Sequence, residues 1–193
     1  PDELACTAES TIESLAIESE QHDVGILILP PEPIGALARL GLVRTRLSRI
    51  LELVRSPVLV SRRSFPYRRV LLAVAELPFA TAAAQLAIDV ARMFVAELHV
   101  CVVQQPDIVE GTEQRAEIDA RRREVEVLAG MYHVRPHTTV LEGNPIREVT
   151  RLAADFDLLV LPHRRGRRGS LTRPDVSLNL IHRVPCSVMI LPH

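Results

Sequence analysis

The residues of this sequence with the clearest capacity for chemistry form a short arginine-rich segment near its C-terminal end. Four arginines surround a glycine, and a second glycine and a serine follow: Arg164, Arg165, Gly166, Arg167, Arg168, Gly169 and Ser170. Guanidinium groups, glycine N–H groups and hydroxyls are donors that proteins use to bind phosphate. Two interpretations stay open: the segment binds a phosphate or an acidic partner, or it is an exposed loop whose arginines are solvated.

Other polar residues do not form a pattern that predicts catalysis or metal binding. His133 and His137 are four residues apart, which puts two ligands on one face only within a helix. Pro136 lies between them near the start of a predicted strand, so we expect no metal site there. Glu142 follows that strand and is expected to be exposed. No serine or cysteine lies in a nucleophile-elbow pattern, and we expect no catalytic residue.

Composition is typical of a globular protein and excludes several functional classes. Hydrophobic residues make up 47% of the 193 residues, and charged residues make up 24%. All 23 basic residues are arginine, so neither a Schiff-base lysine nor a phosphate-loop lysine is available. The net charge of -1 argues against a general nucleic-acid-binding protein. No apolar run approaches a membrane span, and three cysteines without metal spacing suit a reducing cytoplasm.

The elements that must position these residues alternate between strands and helices from Arg69 onward. Short apolar runs predict strands at 70–74, 98–103, 138–141, 158–161 and 187–191. Helical patterns lie between them at 81–94, 113–128, 146–154 and 176–183. This alternation predicts a five-stranded parallel sheet with helices on both faces. Ligands of such sheets bind beyond the carboxyl ends of the strands.

The first 65 residues repeat only the end of that pattern. Strands are predicted at 26–29 and 57–60, with helices at 11–19 and 37–54. We interpret this as an internal repeat whose first copy lacks its opening strands. The predicted domains are therefore 1–65, the C-terminal part of a degenerate unit, and 66–193, a complete unit. An isolated pair of strands would expose apolar edges, so we expect the chain to be part of a longer polypeptide or to complete a sheet with another chain.

Several motifs of the second unit occur in an order and spacing that resemble the universal stress protein family. They are the VLLAV strand with its alanine-rich helix, Gly143-Asn144-Pro145, Asp157 with the Leu-Leu-Val that follows it, and Pro185-Cys186. The resemblance implies a five-stranded parallel sheet of the adenine nucleotide alpha hydrolase-like type. Residues 22–62 resemble the final third of another such domain more weakly, which implies a second, similar unit in front of the complete one.

The resemblance also implies a nucleotide site, and this sequence departs from it. Some family members bind ATP through Gly-x2-Gly-x9-Gly-Ser/Thr after the fourth strand, helped by an aspartate that ends the first strand. We predict a degenerate nucleotide or anion site at Ala75, Pro162, Arg165, Gly166, Gly169 and Ser170. Ala75 replaces the aspartate, and Pro162 and Arg165 stand at the first two glycine positions. Proline has no N–H to donate.

The remaining motif positions have also lost their phosphate-binding residues. The Gly-Ser/Thr pair falls at Pro174 and Asp175, where a carboxylate would repel phosphate. In the first copy the corresponding residues are Pro30, Pro33, Arg44 and Thr45, of which only the threonine has been kept. We therefore expect no cofactor, with ATP possible but not favoured.

The function expected from this reading is a non-enzymatic stress-response or regulatory module in the cytoplasm. We expect a homodimer, or pairing of the tandem units within one chain, through the last strands at 57–60 and 187–190. An unidentified protein partner is expected, with no nucleic acid and no direct membrane insertion. Two alternatives remain: a sensor that binds ATP or AMP through the arginine segment, and a cytoplasmic regulatory domain of a membrane transporter.

Overall fold

The computed structural model describes residues 12–21, 25–32, 45–62, 65–74, 80–104, 112–165 and 175–193. The described helices are α1 (Ile12–Gln21), α2 (Arg46–Leu53), α3 (Ala80–Phe94), α4 (Thr112–Met131), α5 (Pro145–Leu152) and α6 (Val176–Arg183). The described strands are β1 (Leu27–Leu29), β2 (Val58–Val60), β3 (Arg69–Val74), β4 (Glu97–Gln104), β5 (His137–Glu142), β6 (Leu158–His163) and β7 (Ser187–Pro192). A turn of 3-10 helix at Ala153–Asp155 extends α5.

All seven described strands belong to one sheet, in the order β1-β2-β7-β6-β3-β4-β5. The five strands from β3 to β7 run parallel to one another, which confirms the predicted α/β class and the parallel sheet of the second unit. β1 and β2 are also parallel to each other. β2 runs antiparallel to β7. The sheet therefore consists of two sets of parallel strands, and β1 and β2 run in the opposite direction to β3 to β7.

The predicted elements match the described ones closely, with differences of a few residues at their ends. The helix predicted at 37–54 is described only as α2, because residues 33–44 lie outside the described ranges. The helix predicted at 146–154 begins at Pro145 and becomes a 3-10 turn at Ala153. In the described part of the chain, no helix is both long and apolar enough to cross a bilayer.

The core lies in two layers, one on each face of the sheet. One layer joins α1, α2, α5 and α6 to the sheet and contains Leu51, Phe156 and Ile181. The other layer lies under α3 and α4 and contains Ile88 and Val160. This arrangement follows from strands that alternate their apolar side chains between two covered faces. The two predicted units share both layers, because α1 and α2 contribute to the first layer and Leu59 of β2 contributes to the second.

The contact between the two predicted units is made by β2 and β7 and by Arg62, which lies two residues after β2. Leu59 lies opposite Met189 in this antiparallel pair, and both side chains are buried. The Arg62 guanidinium donates to the carbonyl oxygen of Ile181 at 2.6 Å, and the Arg62 backbone N–H donates to Ser187 Oγ at 3.0 Å. Carbonyls in the last turn of a helix have no partner within the helix, so Arg62 caps the C-terminal end of α6.

A sharp turn joins β5 to α5 and sets the direction of that helix. Gly143 has φ +130°, and its N–H donates to the carbonyl oxygen of Gln104 at 2.9 Å. Asn144 then caps the helix by accepting the N–H of Arg147 at 3.2 Å, and Pro145 occupies the first helical position. Only glycine adopts such a φ without strain, which explains the Gly-Asn-Pro order.

Replacing Gly143 with alanine should lower the free energy of unfolding by about 1–3 kcal/mol, because a side chain is strained at that φ. Gly130 provides the matched control, since it lies within α4 and an added Cβ there meets no atom within 4 Å. Gly130→Ala should raise the free energy of unfolding by about 0.5–1 kcal/mol. Urea unfolding of both variants measures the difference. Equal effects of the two changes would contradict this account of the turn.

Candidate functional site

The pairing of β3 with β6 stops before the carboxyl edge of the sheet, at the point where an open parallel sheet is expected to form a crevice. The β3–β6 ladder ends at the pair Leu72–Val160. The ladders on either side continue further, to Val74 on β3 and to His163 on β6. The chain leaves β3 towards β4 on one side, and it returns to β6 on the other. Such a switch point is where ligands bind in open parallel sheets.

Pro162 accounts for the early end of the β3–β6 ladder. The carbonyl oxygen of His163 accepts the N–H of His193, so the backbone of His163 is directed towards β7. Successive residues of a strand direct their backbone groups to opposite sides, which turns the nitrogen of Pro162 towards β3. This nitrogen carries no proton, so it cannot bond to β3. The residue at the predicted first glycine position therefore ends the β3–β6 ladder and removes a donor from this edge.

The structure describes two of the six predicted site residues. Pro162 lies at the mouth of the crevice, and Arg165 follows β6, where its backbone N–H donates to the carbonyl oxygen of His193 at 3.0 Å. The other four predicted residues lie outside the described ranges: Ala75, Gly166, Gly169 and Ser170. The described part of the predicted site therefore consists of Pro162, which has no N–H to donate, and Arg165, whose N–H is bonded to His193.

A polar network that the sequence analysis missed lies at the same edge. Asp175 is the N-cap of α6, and its Oδ1 accepts the backbone N–H of Leu178 at 3.0 Å. The Ser177 hydroxyl donates to the same Oδ1 at 2.7 Å. Ser177 Oγ also lies 2.7 Å from Nδ1 of His163, a side chain that is only 4% exposed. The available signal in the sequence was an aspartate and a serine two residues apart at a helix start, preceded by a histidine at a strand end.

The protonation of this network follows from its geometry. The Ser177 hydroxyl has one proton, and its contact with the Asp175 carboxylate requires that proton, because the carboxylate can only accept. The proton between Ser177 and His163 must then belong to Nδ1 of the histidine. Burial lowers the pKa of His163, and His193 lowers it further, while the carboxylates of Asp175 and Glu52 act in the opposite direction. His163 is therefore neutral at physiological pH, with Nδ1 as donor.

Thr45 is the residue that the predicted repeat aligns with Asp175. It is the N-cap of α2, and its side chain accepts the backbone N–H of Ser48 at 3.1 Å. The threonine retained from the Gly-Ser/Thr pair therefore serves as a helix cap. Both units use a side-chain oxygen of their own at this helix terminus.

Asp157 ties the opposite, amino edge of the sheet together. Its Oδ2 accepts the backbone N–H groups of Arg68 and Arg69, each at 2.9 Å. Its carbonyl oxygen accepts the N–H of Ser187 at 3.1 Å. Asp157 thus fixes the relative positions of β3, β6 and β7, which gives the Asp-Leu-Leu-Val motif a structural role.

The histidines considered as metal ligands are separated in the structure. His133 lies in the turn after α4, whereas His137 begins β5, where its ring lies 4.9 Å from the ring of His99. Burial lowers the pKa of His99, and His137 and Arg69 add to that effect. Among the described residues, no three histidine, cysteine or acidic side chains are grouped so as to hold a metal ion.

The described cysteines are core residues. Cys101 is fully buried, and burial raises the pKa of its thiol to about 12. Cys186 is also fully buried, before β7. Since the thiolate is the reactive form of cysteine, Cys101 is not suited to nucleophilic chemistry, and Cys186 is shielded from solvent. Cys6 lies outside the described residues.

Comparison with protein families gives one match that covers most of the chain. The model of the universal stress protein family matches residues 66–192. This range contains β3 to β7, α3 to α6, and the crevice with its polar network. A search of curated proteins finds none that matches the chain.

Solved structures with the same fold include members of that family. A universal stress protein from Archaeoglobus fulgidus has 17% identity and a TM-score of 0.68, covering 94% of this chain. A Pseudomonas aeruginosa protein of unknown function has 19% identity and a TM-score of 0.64, covering 95% of this chain and 68% of its own. A universal stress protein in complex with cAMP has 20% identity and a TM-score of 0.54, covering 66% of this chain and 98% of its own. This chain spans 65% of the length of the Archaeoglobus protein, and at these identities the likeness concerns the fold alone.

Proposed function

Because the chain belongs to the universal stress protein family, we propose that it is a non-enzymatic regulatory module of the cytoplasmic stress response that works without a bound nucleotide. The observation that carries this proposal is the position of Asp175. Its carboxylate accepts an N–H at the N-terminal end of α6, at the place where nucleotide-binding family members are expected to present the Gly-Ser/Thr pair to phosphate. The protein supplies its own anion there.

Electrostatics support the loss of phosphate binding at this edge. The N-terminal end of a helix attracts an anion through its N–H groups and its dipole, and the Asp175 carboxylate already uses that attraction. A phosphate about 4 Å from this carboxylate would be repelled by about 4 kcal/mol at an effective dielectric constant near 20. Pro162 adds no N–H to offset the repulsion.

We further propose that contacts between the two units replace pairing of two chains through the last strand. The edge of β7 that would be available to another copy is covered by β2. Arg62 strengthens this contact through its bonds to the end of α6 and the start of β7. The regulatory contacts with other proteins would then use surfaces other than the β7 edge.

A second candidate function is a nucleotide sensor. It is favoured by the similarity in fold to a universal stress protein in complex with cAMP, and by Arg165, which lies two residues after the end of β6 at the carboxyl edge of the sheet. In this case, guanidinium groups would replace the missing glycine N–H groups as phosphate donors.

Extraction of bound small molecules from natively purified protein separates the two candidates. The protein is denatured, and the released nucleotides are measured by liquid chromatography and mass spectrometry. We expect no ATP, AMP or cAMP above the amount recovered with an Arg165→Ala control. Recovery of about one nucleotide per chain from the natural sequence, and none from the control, would reject the main proposal and support the sensor.

A further inference from the structure

We propose that His163 is a proton-sensitive switch at the junction of the two units, and that proton uptake on its Nε2 loosens the contact between α2, the N-terminal end of α6 and the ends of β6 and β7. This inference does not depend on whether the crevice binds a nucleotide. It rests on a buried histidine that contacts a helix cap of its own unit and lies near a carboxylate of the other unit.

The geometry forms a chain of donors that ends at the helix cap. Nδ1–H of His163 donates to Ser177 Oγ at 2.7 Å, and the Ser177 hydroxyl donates to Asp175 Oδ1 at 2.7 Å. Oδ2 of Asp175 lies 4.0 Å from Nδ1 of the same histidine. Since Nδ1 already holds a proton, the imidazole can take up another only on Nε2. Proton uptake therefore places a positive charge on a buried side chain that is only 4% exposed.

Several charged or titratable groups lie around this imidazole, from four parts of the fold. Asp175 lies at the start of α6, Glu52 lies on α2, and His193 follows β7. Arg164 and Arg165 follow β6 and act on His193. The two carboxylates attract the imidazolium, whereas burial and His193 disfavour it, and burial is the largest of these effects. The balance therefore lowers the pKa of His163 below its usual value.

The sign of the pH dependence follows from that direction. The unfolded chain binds the His163 proton more readily than the folded protein does, because the folded pKa is the lower of the two. The stabilisation is fully present above about pH 6.5 and is lost as the pH falls from there towards the folded pKa. One proton changes the equilibrium constant of unfolding by up to about tenfold per pH unit. Because the groups that act on the imidazole lie on α6 and α2 and after β7, the loss should appear first where these elements meet the end of β6.

The test compares the natural protein with His163→Asn, whose amide N–H can replace the Nδ1 donor but does not titrate. Urea unfolding at about pH 7.5 and about pH 5.5 should show that acid increases the unfolding constant several-fold more in the natural protein than in the variant. Hydrogen exchange, corrected for the intrinsic effect of pH, should accelerate in peptides covering 46–53 and 175–183 of the natural protein only. His99→Asn is the matched control at the opposite edge, and it should leave that local acceleration unchanged.

Nuclear magnetic resonance of the natural protein gives a readout that does not require the variant to fold. The long-range proton–nitrogen spectrum of His163 should show the proton on Nδ1 at neutral pH, and its titration midpoint should lie below about 6.5. A proton on Nε2, a midpoint above that value, or equal acid sensitivity of the natural protein and His163→Asn would each overturn the proposal.

Discussion

Titration of the purified protein with magnesium-ATP should give no saturable heat at micromolar concentrations. A phosphate site needs several N–H groups that converge on one anion, and each lost donor costs about 0.5–1.5 kcal/mol net. Pro162 removes one donor at the crevice, Asp175 adds a like charge at the helix end, and Ala75 lacks the carboxylate expected near the nucleoside. Three such losses lower the affinity by roughly one to three orders of magnitude, at about 1.4 kcal/mol per tenfold.

Asp175→Asn is the informative variant for this prediction, because asparagine is as good an N-cap as aspartate but carries no charge. We expect α6 to stay intact and phosphate or ATP affinity to rise by about tenfold or more, since the repulsion at the helix end is removed. Circular dichroism checks the fold, and calorimetry measures the binding. A micromolar dissociation constant for the natural protein, abolished by Arg165→Ala with Arg168→Ala, would reject this prediction and support the sensor.

Leu59→Asp should lower the free energy of unfolding by more than about 3 kcal/mol, the largest stability effect we predict. Leu59 is paired with Met189 across the antiparallel β2–β7 contact, and both side chains are almost fully buried. An aspartate there would place an unpaired carboxylate in the core layer under α3. Met189→Asp should have a similar effect, because it changes the opposite side of the same pair. Chemical denaturation measures both variants.

Ile28→Asp is the matched control, because Ile28 lies in the adjacent strand β1 but is 61% exposed. The same new charge at this solvent-facing position should change the free energy of unfolding by no more than about 0.5 kcal/mol. Equal tolerance of the aspartate at Leu59 and at Ile28 would show that the β2–β7 contact does not form in solution.

The local elements of this fold could be predicted from sequence because their signals are local. Unbroken apolar runs such as the one from Val70 to Val74 identify strands that are covered on both faces, and the structure confirms them. The sequence left open whether the last strands pair within one chain or between two chains. No local pattern specifies a pairing partner more than a hundred residues away. Only the register of the folded sheet identifies Met189 as the neighbour of Leu59.

For the candidate site, the sequence predicted only which phosphate-binding residues are missing. Pro162 and Asp175 stand where a phosphate-binding sequence would have a glycine and a serine or threonine, and the sequence alone shows this. The roles of these residues are visible only in the folded structure. Pro162 ends the β3–β6 ladder, and the Asp175 carboxylate accepts the hydroxyl proton of Ser177 and caps α6. His137 was considered with His133 because they are near in sequence, yet its ring partner is His99 on the neighbouring strand.

The β2–β7 contact also determines the order in which the chain can fold as it is synthesised. β2 leaves the ribosome long before β7, the last of the described strands, and until β7 appears the buried side of β2 has no strand to cover it. The intervening elements from β3 to β6 can assemble in the meantime from contacts closer in sequence, which form faster. β1, α2 and β2 must wait until β7 has been synthesised, and during that wait their apolar residues are a target for chaperones and for aggregation.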